Sequence, residues 1–446
     1  MKHRKTRDVP LGPSYRKLFG ASVISNLGDG VGIVAYPWLA SAVTRNPLLV
    51  ALVAVVNRLP WLVFSLPAGV ITDRVDRRRA MVAMDTCRFG LGTVVAVAVF
   101  VGQEGLPGPA DVSSVVGTNW FLYLTVLTAT LLLGMAEVLR DNAGQTILPA
   151  LVPAEGLERA NGRMWSAEGV ANTFAGPPLG SLLLAVSFAL PFLVDAASFF
   201  AAAALVAMIP GSFRADRPED AEPAHWRAEL REGVRWLWHH ELLRPMAIIL
   251  GLMNAAAMVS GATFVLFAQE VLDVGPLLFT VIGMGGAVGG IVGGGLASAL
   301  SRRLGSGTCL AITLAGSAVT EAVIGVSSWW PVVFVMFGVT SLLGILWNVI
   351  TVSLRQAIIP PHLLGRVNSV YRFFAWGMMP VGAAIGGVVV LAVDTVASRD
   401  MALRATFLAG AVVHLGLFAF GRSKLTTEKI EAARAAGTVR VGSTDA

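Results

Sequence analysis

Asp29, Arg58, Glu321 and His414 lie deep inside long apolar stretches of the sequence, where an ionisable side chain costs several kcal/mol unless it has a partner or a wet cavity. Such residues can do two kinds of chemistry. They can take up and release a proton, or they can neutralise a buried counter-charge. At about 1.5 Å per residue, Asp29, roughly 11 residues into its stretch, and Arg58, roughly 10 residues into the next from the other side, reach similar depths. They are therefore expected to pair. Protonation of Asp29 would then release Arg58 and couple a proton to a change in packing, with a permanent structural ion pair as the competing reading. Glu321 is also near mid-depth, and the sequence offers it no evident neighbour, which suits a proton carrier. His414, at a similar depth, is either a relay group or hydrogen-bonded packing.

Further charges lie nearer the ends of the stretches. Asp85 and Arg88 stand at i, i+3, Glu137 and Asp141 flank Arg140, and Glu168 and Asp195 follow in the next two stretches. These suit gating or bracing between helices. No Gly-x-x-x-x-Gly-Lys-[Ser/Thr] loop is present, so any work must draw on an ion gradient or a solute gradient. The glycine-dense run Gly283 to Gly295 sits in an apolar helix with no strand before it, so it reads as close helix packing and not as a dinucleotide fingerprint. No His-Glu-x-x-His or Gly-x-Ser-x-Gly site points to an enzyme. Cys87 and Cys309 lack metal-ligand spacing, and neither a metal nor another cofactor is expected.

The elements that must position these groups follow from composition. Of 446 residues, 55% are hydrophobic and 14% charged, against roughly 25% charged in a soluble domain. A bilayer core about 30 Å thick takes roughly 20 apolar residues per helix, with every backbone polar group satisfied inside the segment. Twelve such spans are predicted, near 18 to 43, 48 to 71, 80 to 102, 119 to 139, 164 to 187, 190 to 210, 245 to 270, 274 to 299, 308 to 327, 330 to 353, 370 to 393 and 403 to 421. The chain is thus expected to be an all-α, multi-pass protein of the plasma (inner) membrane. The first span follows a basic start, yet it is long, contains Asn26 and Asp29, and leads directly into another helix, so it reads as retained.

Basic residues set the orientation. Lys2, Arg4, Lys5, Arg7, Arg16 and Lys17 precede the first span, and other clusters fall between spans 2 and 3, between spans 6 and 7, and after span 12. The opposite loops hold only Arg45, Arg399 and Arg404. Both termini are expected in the cytoplasm, and the net charge of +6 reflects topology and not nucleic-acid binding.

The spans divide six and six: an N-terminal half over 1–210, a linker over 211–244, a C-terminal half over 245–421 and a tail over 422–446. From Trp226 to Leu243 the linker places Trp226, Leu230, Val234 and Leu237 at helical spacing, with Arg227, Arg231 and Arg235 opposite. That pattern fits an amphipathic helix, either on the membrane surface or packed under the bundle. Leu148 to Gly180 can be laid over Arg355 to Gly387 at an offset of 207, matching Pro153 with Pro360, Leu157 with Leu364, Arg159 with Arg366 and Asn161 with Asn368. Duplicated six-helix halves are one construction of secondary transporters.

The segment Gly69-Val-Ile-Thr-Asp73-Arg74-Val-Asp76-Arg77-Arg78-Arg79 resembles the signature G-x-L-A-D-R-x-G-R-[RK] of the major facilitator superfamily, with Ile71, Thr72 and Asp76 departing from it. The Asp-Arg-x-Asp-Arg-Arg form, Pro153 to Asn161, and Pro191 to Phe199 look like the branch of macrolide efflux proteins and enterobactin exporters. Gly176-Pro177-Pro178-Leu179-Gly180 is similar to the Gly-Pro motif of antiporters; in physical terms its prolines interrupt the hydrogen-bond ladder and its glycines let helices approach. The resemblance implies a role in gating for Gly69, Asp73, Arg74, Asp76, Arg77 and Arg78. It also implies a secondary transporter that exports hydrophobic or amphipathic small molecules such as a drug, antibiotic or siderophore, with a proton as coupling ion and the bilayer as surroundings. The fourth span lacks the mid-helix Arg motif of classical drug antiporters, which puts antiport by that route in doubt. Lipid or lysophospholipid transport, and a sensor or scaffold that kept the fold, are the alternatives.

Overall fold

The computed structural model describes residues 10–72, 74–109, 111–214 and 226–442, and Asp73 lies outside them. Regular structure among the described residues is helical, apart from one isolated bridge between Thr44 and Thr118. Among the described residues eleven helices are long and apolar enough to cross a membrane, and a shorter apolar helix, Pro47–Val63, brings the spans to twelve. Span 1 is α1 (Gly12–Val43), and span 2 is α2 (Pro47–Val63) followed by α3 (Ser65–Thr72). Spans 3 and 4 are α4 (Arg77–Val101) and α5 (Trp120–Leu151). Span 5 runs through α6 (Leu157–Gly169), a π segment (Val170–Ala175) and α7 (Gly176–Val186), and span 6 is α8 (Ala189–Ala207). The linker holds α9 (Trp226–His239). Span 7 is α10 (Leu243–Gly261) with α11 (Phe264–Glu270), and spans 8 to 12 are α12 (Pro276–Leu304), α13 (Ser306–Val326), α14 (Trp330–Ile358), α15 (Pro361–Asp394) and α16 (Arg399–Gly421). The tail carries α17 (Thr427–Gly442).

Local sequence explains the breaks. Pro67 has no N–H to give the carbonyl of Val63, and α2 ends there. Pro177 and Pro178 likewise leave the carbonyls of Thr173 and Phe174 without their usual donors. The helix widens just before them, and the Gly176 N–H bonds Ala171 O, five residues back. The glycine run of α12 behaves as expected: Gly285, Gly289 and Gly293 lie against the α14 backbone too closely to admit a Cβ.

Two compact units form, one from Met1–Thr44 with Leu59–Ala221, the other from Arg45–Arg58 with Glu222–Ala446. The first is packed around Tyr15, Leu18, Met81, Ile147 and Val206. The second is packed around Met246, Leu314, Trp347, Leu354 and Tyr371. Of the two placements the sequence left open for the linker helix, α9 takes the packed one. Leu237 enters the second core, Trp236 lies against it, and Glu232 pairs with Arg366 of α15. Val234, expected on the apolar stripe, is 39% exposed.

Candidate functional site: a chain of intramembrane charges

The face of α1 that carries Ser22, Ser25, Asn26 and Asp29 repeats at i, i+3, i+4 and i+7, the spacing that puts all four on one side of a helix. In the first unit the Arg88 side chain of α4 reaches across to this face. The Arg88 guanidinium is bonded to Asp29 Oδ1, donates to Ser25 Oγ at 3.3 Å, and lies 3.7 Å from Asp85 Oδ1. Asp85 in turn lies 3.4 Å from Arg140 Nε of α5, and Arg140 Nη1 donates to Asp141 Oδ1 at 3.4 Å. Charges therefore alternate along Asp29, Arg88, Asp85, Arg140 and Asp141. The middle of the chain is dry and its ends are not: the Asp85 side chain is 0% exposed, against 27% for Asp29 and 36% for Asp141. Glu137 faces Arg88, and Glu168, exposed on α6, faces Asp141.

This corrects the expected partner of Asp29, which is Arg88 and not Arg58. Arg58 is half-buried and falls in the other compact unit. The depth count started span 1 near 18, whereas α1 starts at Gly12. Depth also says nothing about which side chain reaches α1: that helix packs mainly on α8 and α7, and the long Arg88 side chain reaches Asp29 from α4, which itself packs on α8 and α5. The same miscount placed Asp85 and Arg88 towards a face, although Arg88 sits near the middle of α4.

The antiporter-like run abuts the same stretch of α1. A Cβ on Gly176 would come within 2.5 Å of Gly30 Cα, and one on Gly180 within 2.6 Å of Val31 O. Backbones meet directly there, which only glycine permits. In the π segment Asn172 donates to Asn26 Oδ1 at 2.9 Å, so a widened, proline-bounded piece of helix is tied to the polar face of α1.

At the end of α4, Asp76 caps the helix. Its Oδ1 accepts from the Arg79 N–H at 2.9 Å, and its Oδ2 accepts from the Phe213 N–H at 2.7 Å and the Ser212 hydroxyl at 2.9 Å. Arg78 donates to Ile209 O at 2.6 Å, and the Arg77 N–H to Phe213 O at 3.3 Å. Partial burial acts to raise the Asp76 pKa, but the bonds from Arg79, Phe213 and Ser212 and the nearby Arg78 outweigh it and hold the carboxyl below the usual range. Arg74 is exposed in the turn, and Gly69 lies in α3, where its carbonyl accepts from Thr72 Oγ1 at 2.8 Å.

Residues 10–437 match the family described as transmembrane secretion effector, a branch of the major facilitator superfamily (MFS). The chain belongs to that family. It is 28% identical over 430 residues to the multidrug efflux pump Tap of Mycobacterium tuberculosis, covering 93% of this chain and 94% of that one. Against the enterobactin exporter EntS of Shigella boydii it is 24% identical over 429 residues, with 94% and 95% covered. Its fold matches a bacterial homologue of the human lysosomal transporter Spinster at a TM-score of 0.68, with 12% identity and 94% and 98% of the chains covered. A bacterial homologue of the iron transporter ferroportin matches at 0.65, with 16% identity and 92% and 98% covered. The protein is an MFS efflux transporter in a membrane, and not an enzyme.

The second unit of this MFS chain carries a smaller constellation. His414 Nδ1 of α16 lies 3.1 Å from Glu321 Oε2 of α13 and 3.1 Å from Gly410 O, with both side chains buried. Because the carbonyl can only accept, Nδ1 bears a hydrogen and donates. Glu321, for which the sequence offered no neighbour, thus has one in His414.

Sequence reasoning also missed a group in the second unit. Arg45 donates to Gln269 Oε1 at 2.5 Å and bonds Glu270, while Arg399 reaches Glu270 Oε2 at 2.9 Å and Arg45 O at 2.9 Å. Arg404 donates to Gly325 O at 3.1 Å and Ser327 O at 3.0 Å. The available signal was that these three arginines stand alone in loops otherwise poor in basic residues, each next to a span end whose carbonyls or carboxylates need a donor.

Proposed function

We propose that this transporter exports hydrophobic or amphipathic small molecules, drugs, antibiotics or siderophores among them, in exchange for protons and by alternating access. The observation that carries this is the chain from Asp29 to Asp141, a run of buried charges whose two ends open to accessible space. Each guanidinium stands between two carboxylates, so protonating one end or loading it with solute shifts every partner in turn without stranding a charge. The names of the relatives, a multidrug efflux pump and an enterobactin exporter, support this class of cargo. Asp29 and Arg88 are the first candidates for coupling, ahead of Glu321 and His414, while Arg58 keeps a place only as a separate charge.

Under the same reading the chain sits in the inner membrane with both termini and the 211–244 linker in the cytoplasm, and its halves run over 1–210 and 245–421. Gly69, Asp73, Arg74, Asp76, Arg77 and Arg78 brace the cytoplasmic side, and Gly176, Pro177 and Gly180 form the bending element of span 5. Efflux of labelled compounds from cells expressing the chain is expected to stop on adding a protonophore. Export that survives it would remove proton coupling, and no export of any compound would remove the class of cargo. For topology, a cysteine at Ser114 should react with an impermeant reagent from outside and one at Ala221 should not; the reverse pattern would invert the orientation.

A further inference from the structure

Beside the chain of alternating charges stand two further carboxyls, Glu137 and Asp195. Asp195 of α8 is 4% exposed, and its Oδ1 has no hydrogen-bond partner. That oxygen rests against α1 at Gly28, where a Cβ would come within 2.7 Å of it. The groups facing the carboxyl are Asp29 and Tyr36 from α1, Arg88 from α4 and Glu137 from α5. Arg88 is the one cation among these, and it is engaged with Asp29 and Asp85. The Tyr36 hydroxyl is likewise buried without a partner.

An ionised carboxylate in the bilayer interior without a counter-charge costs several kcal/mol, and the neutral acid far less. A guanidinium has five donors in a rigid fork, which can serve two carboxylates well but not three at once. Arg88 is already turned towards α8, since its Cζ lies 3.8 Å over the ring of Phe199, one helical turn from Asp195.

We propose that Asp195 holds the transported proton and that Arg88 passes between Asp29 and Asp195, which makes the preferred cargo an amphipathic cation. When a cation occupies Asp29, Arg88 is displaced onto Asp195, whose carboxyl gives up its proton to water and becomes its new partner. When Asp195 takes a proton again, Arg88 returns to Asp29 and expels the cation. Both states carry the same net charge over these groups, so one proton exchanges for one monovalent cation and the exchange is electroneutral. This rests on the reading of a proton-driven exporter and adds to it the cargo's charge, the proton's seat and the stoichiometry.

The test uses the full chain in liposomes with ethidium, a monovalent amphipathic cation, as the probe. In the wild type a pH gradient should drive ethidium flux, and a potassium–valinomycin potential should change that flux by less than about twofold. Asp195→Asn should lower the gradient-driven flux at least about tenfold. Its ethidium exchange should no longer vary between about pH 6 and 8. Asp195→Glu should restore that variation. Should Asp195→Asn fail to accumulate, Gly28→Ala sets a methyl against Ser198 Oγ and the Asp195 carboxyl without removing either, and should shift the pH of half-maximal exchange. A wild-type response to the pH gradient in a well-folded Asp195→Asn, an unshifted profile in Gly28→Ala, or a potential that drives flux as strongly as the pH gradient would each overturn the proposal. A wild type in which neither gradient moves ethidium would overturn the exporter reading itself, a result distinct from those.

Discussion

The two units solve the burial of charge in different ways. In the first, two arginines and three aspartates alternate across α1, α4 and α5, with Asp195 and Glu137 beside them. In the second, one carboxyl and one imidazole meet across α13 and α16. A chain with more carboxylates than guanidiniums can trade partners, because each carboxylate that loses an arginine can be covered by a proton or by a cation. A lone Glu–His pair can only gain or lose a proton where it stands. The helical fold repeats between the halves, but the charge does not. On the proposed function, solute-linked rearrangement belongs to the first unit and bracing to the second.

The strongest way to break the comparison is to remove Arg88. Arg88→Gln leaves Asp29 and Asp85 without their shared cation, and losing one partner of a buried pair costs about 3–5 kcal/mol. Folded protein recovered in detergent should fall steeply and efflux should vanish. Arg88→Lys should not rescue it, because a point charge cannot bridge the two carboxylates that the guanidinium fork spans. The double variant Asp29→Asn with Arg88→Gln should recover part of the abundance, while Asp29→Asn with Arg58→Gln should be additive. Near-normal abundance in Arg88→Gln would mean that the chain is not what balances charge in this unit.

How far these sites could be read from sequence depends on what kind of fact each one is. Spans are one-dimensional, a matter of length and apolarity, and all twelve were legible. Loss of a proline-blocked hydrogen bond is local, so interruption near Pro177 and Pro178 was legible too, although its widening into a π segment was not. Which charges meet is a matter of helix azimuth and neighbourhood, and depth alone cannot supply it. Asp29 had two arginines at plausible depth, and the nearer one in sequence was the wrong one. Glu321 and His414 could have been matched, since both stood near mid-depth in one half with few other ionisable groups about them. Asp195 was placed in the right span but treated as a brace, because nothing in the sequence shows that its Oδ1 lacks a partner.

A milder test lies in the second unit. In Glu321→Gln the amide oxygen can still accept from His414 Nδ1, so the loss in stability should stay near about 1 kcal/mol, the worth of one hydrogen bond. His414→Ala should cost more, since it also opens a cavity in packed surroundings. Transport driven by a pH gradient should persist in Glu321→Gln at reduced abundance. If that variant accumulated normally and yet lost its response to the gradient, coupling would belong to the second unit and the contrast between the two would be inverted.

The smallest effect is expected at Asp76, a carboxylate of the first unit that stands apart from the charge chain and so acts as its control. Its oxygens are held by backbone N–H groups and the Ser212 hydroxyl, and its charge is carried mainly by those bonds. Asp76→Ala removes a helix cap, worth about 1 kcal/mol, and two of the bonds that tie the Ile209–Phe213 segment to α4, leaving those from Arg78 and the Arg77 N–H. Asp76→Asn keeps one acceptor and should cost less. Because its pKa is depressed in the folded protein, the contribution of Asp76 is fully present above the ordinary aspartate value of about 3.9 and is lost as pH falls through the lower folded value. Thermal unfolding of wild type and Asp76→Asn in detergent should therefore differ by a constant amount from about pH 5 to 8 and converge only in stronger acid. Gradient-driven transport per folded molecule should fall less than in a variant of any member of the buried chain. A difference between the two proteins that itself varied between about pH 5 and 8 would show that Asp76 is linked to a group titrating in that range. The division between a coupling network inside the unit and a passive fastening at its end would then no longer hold.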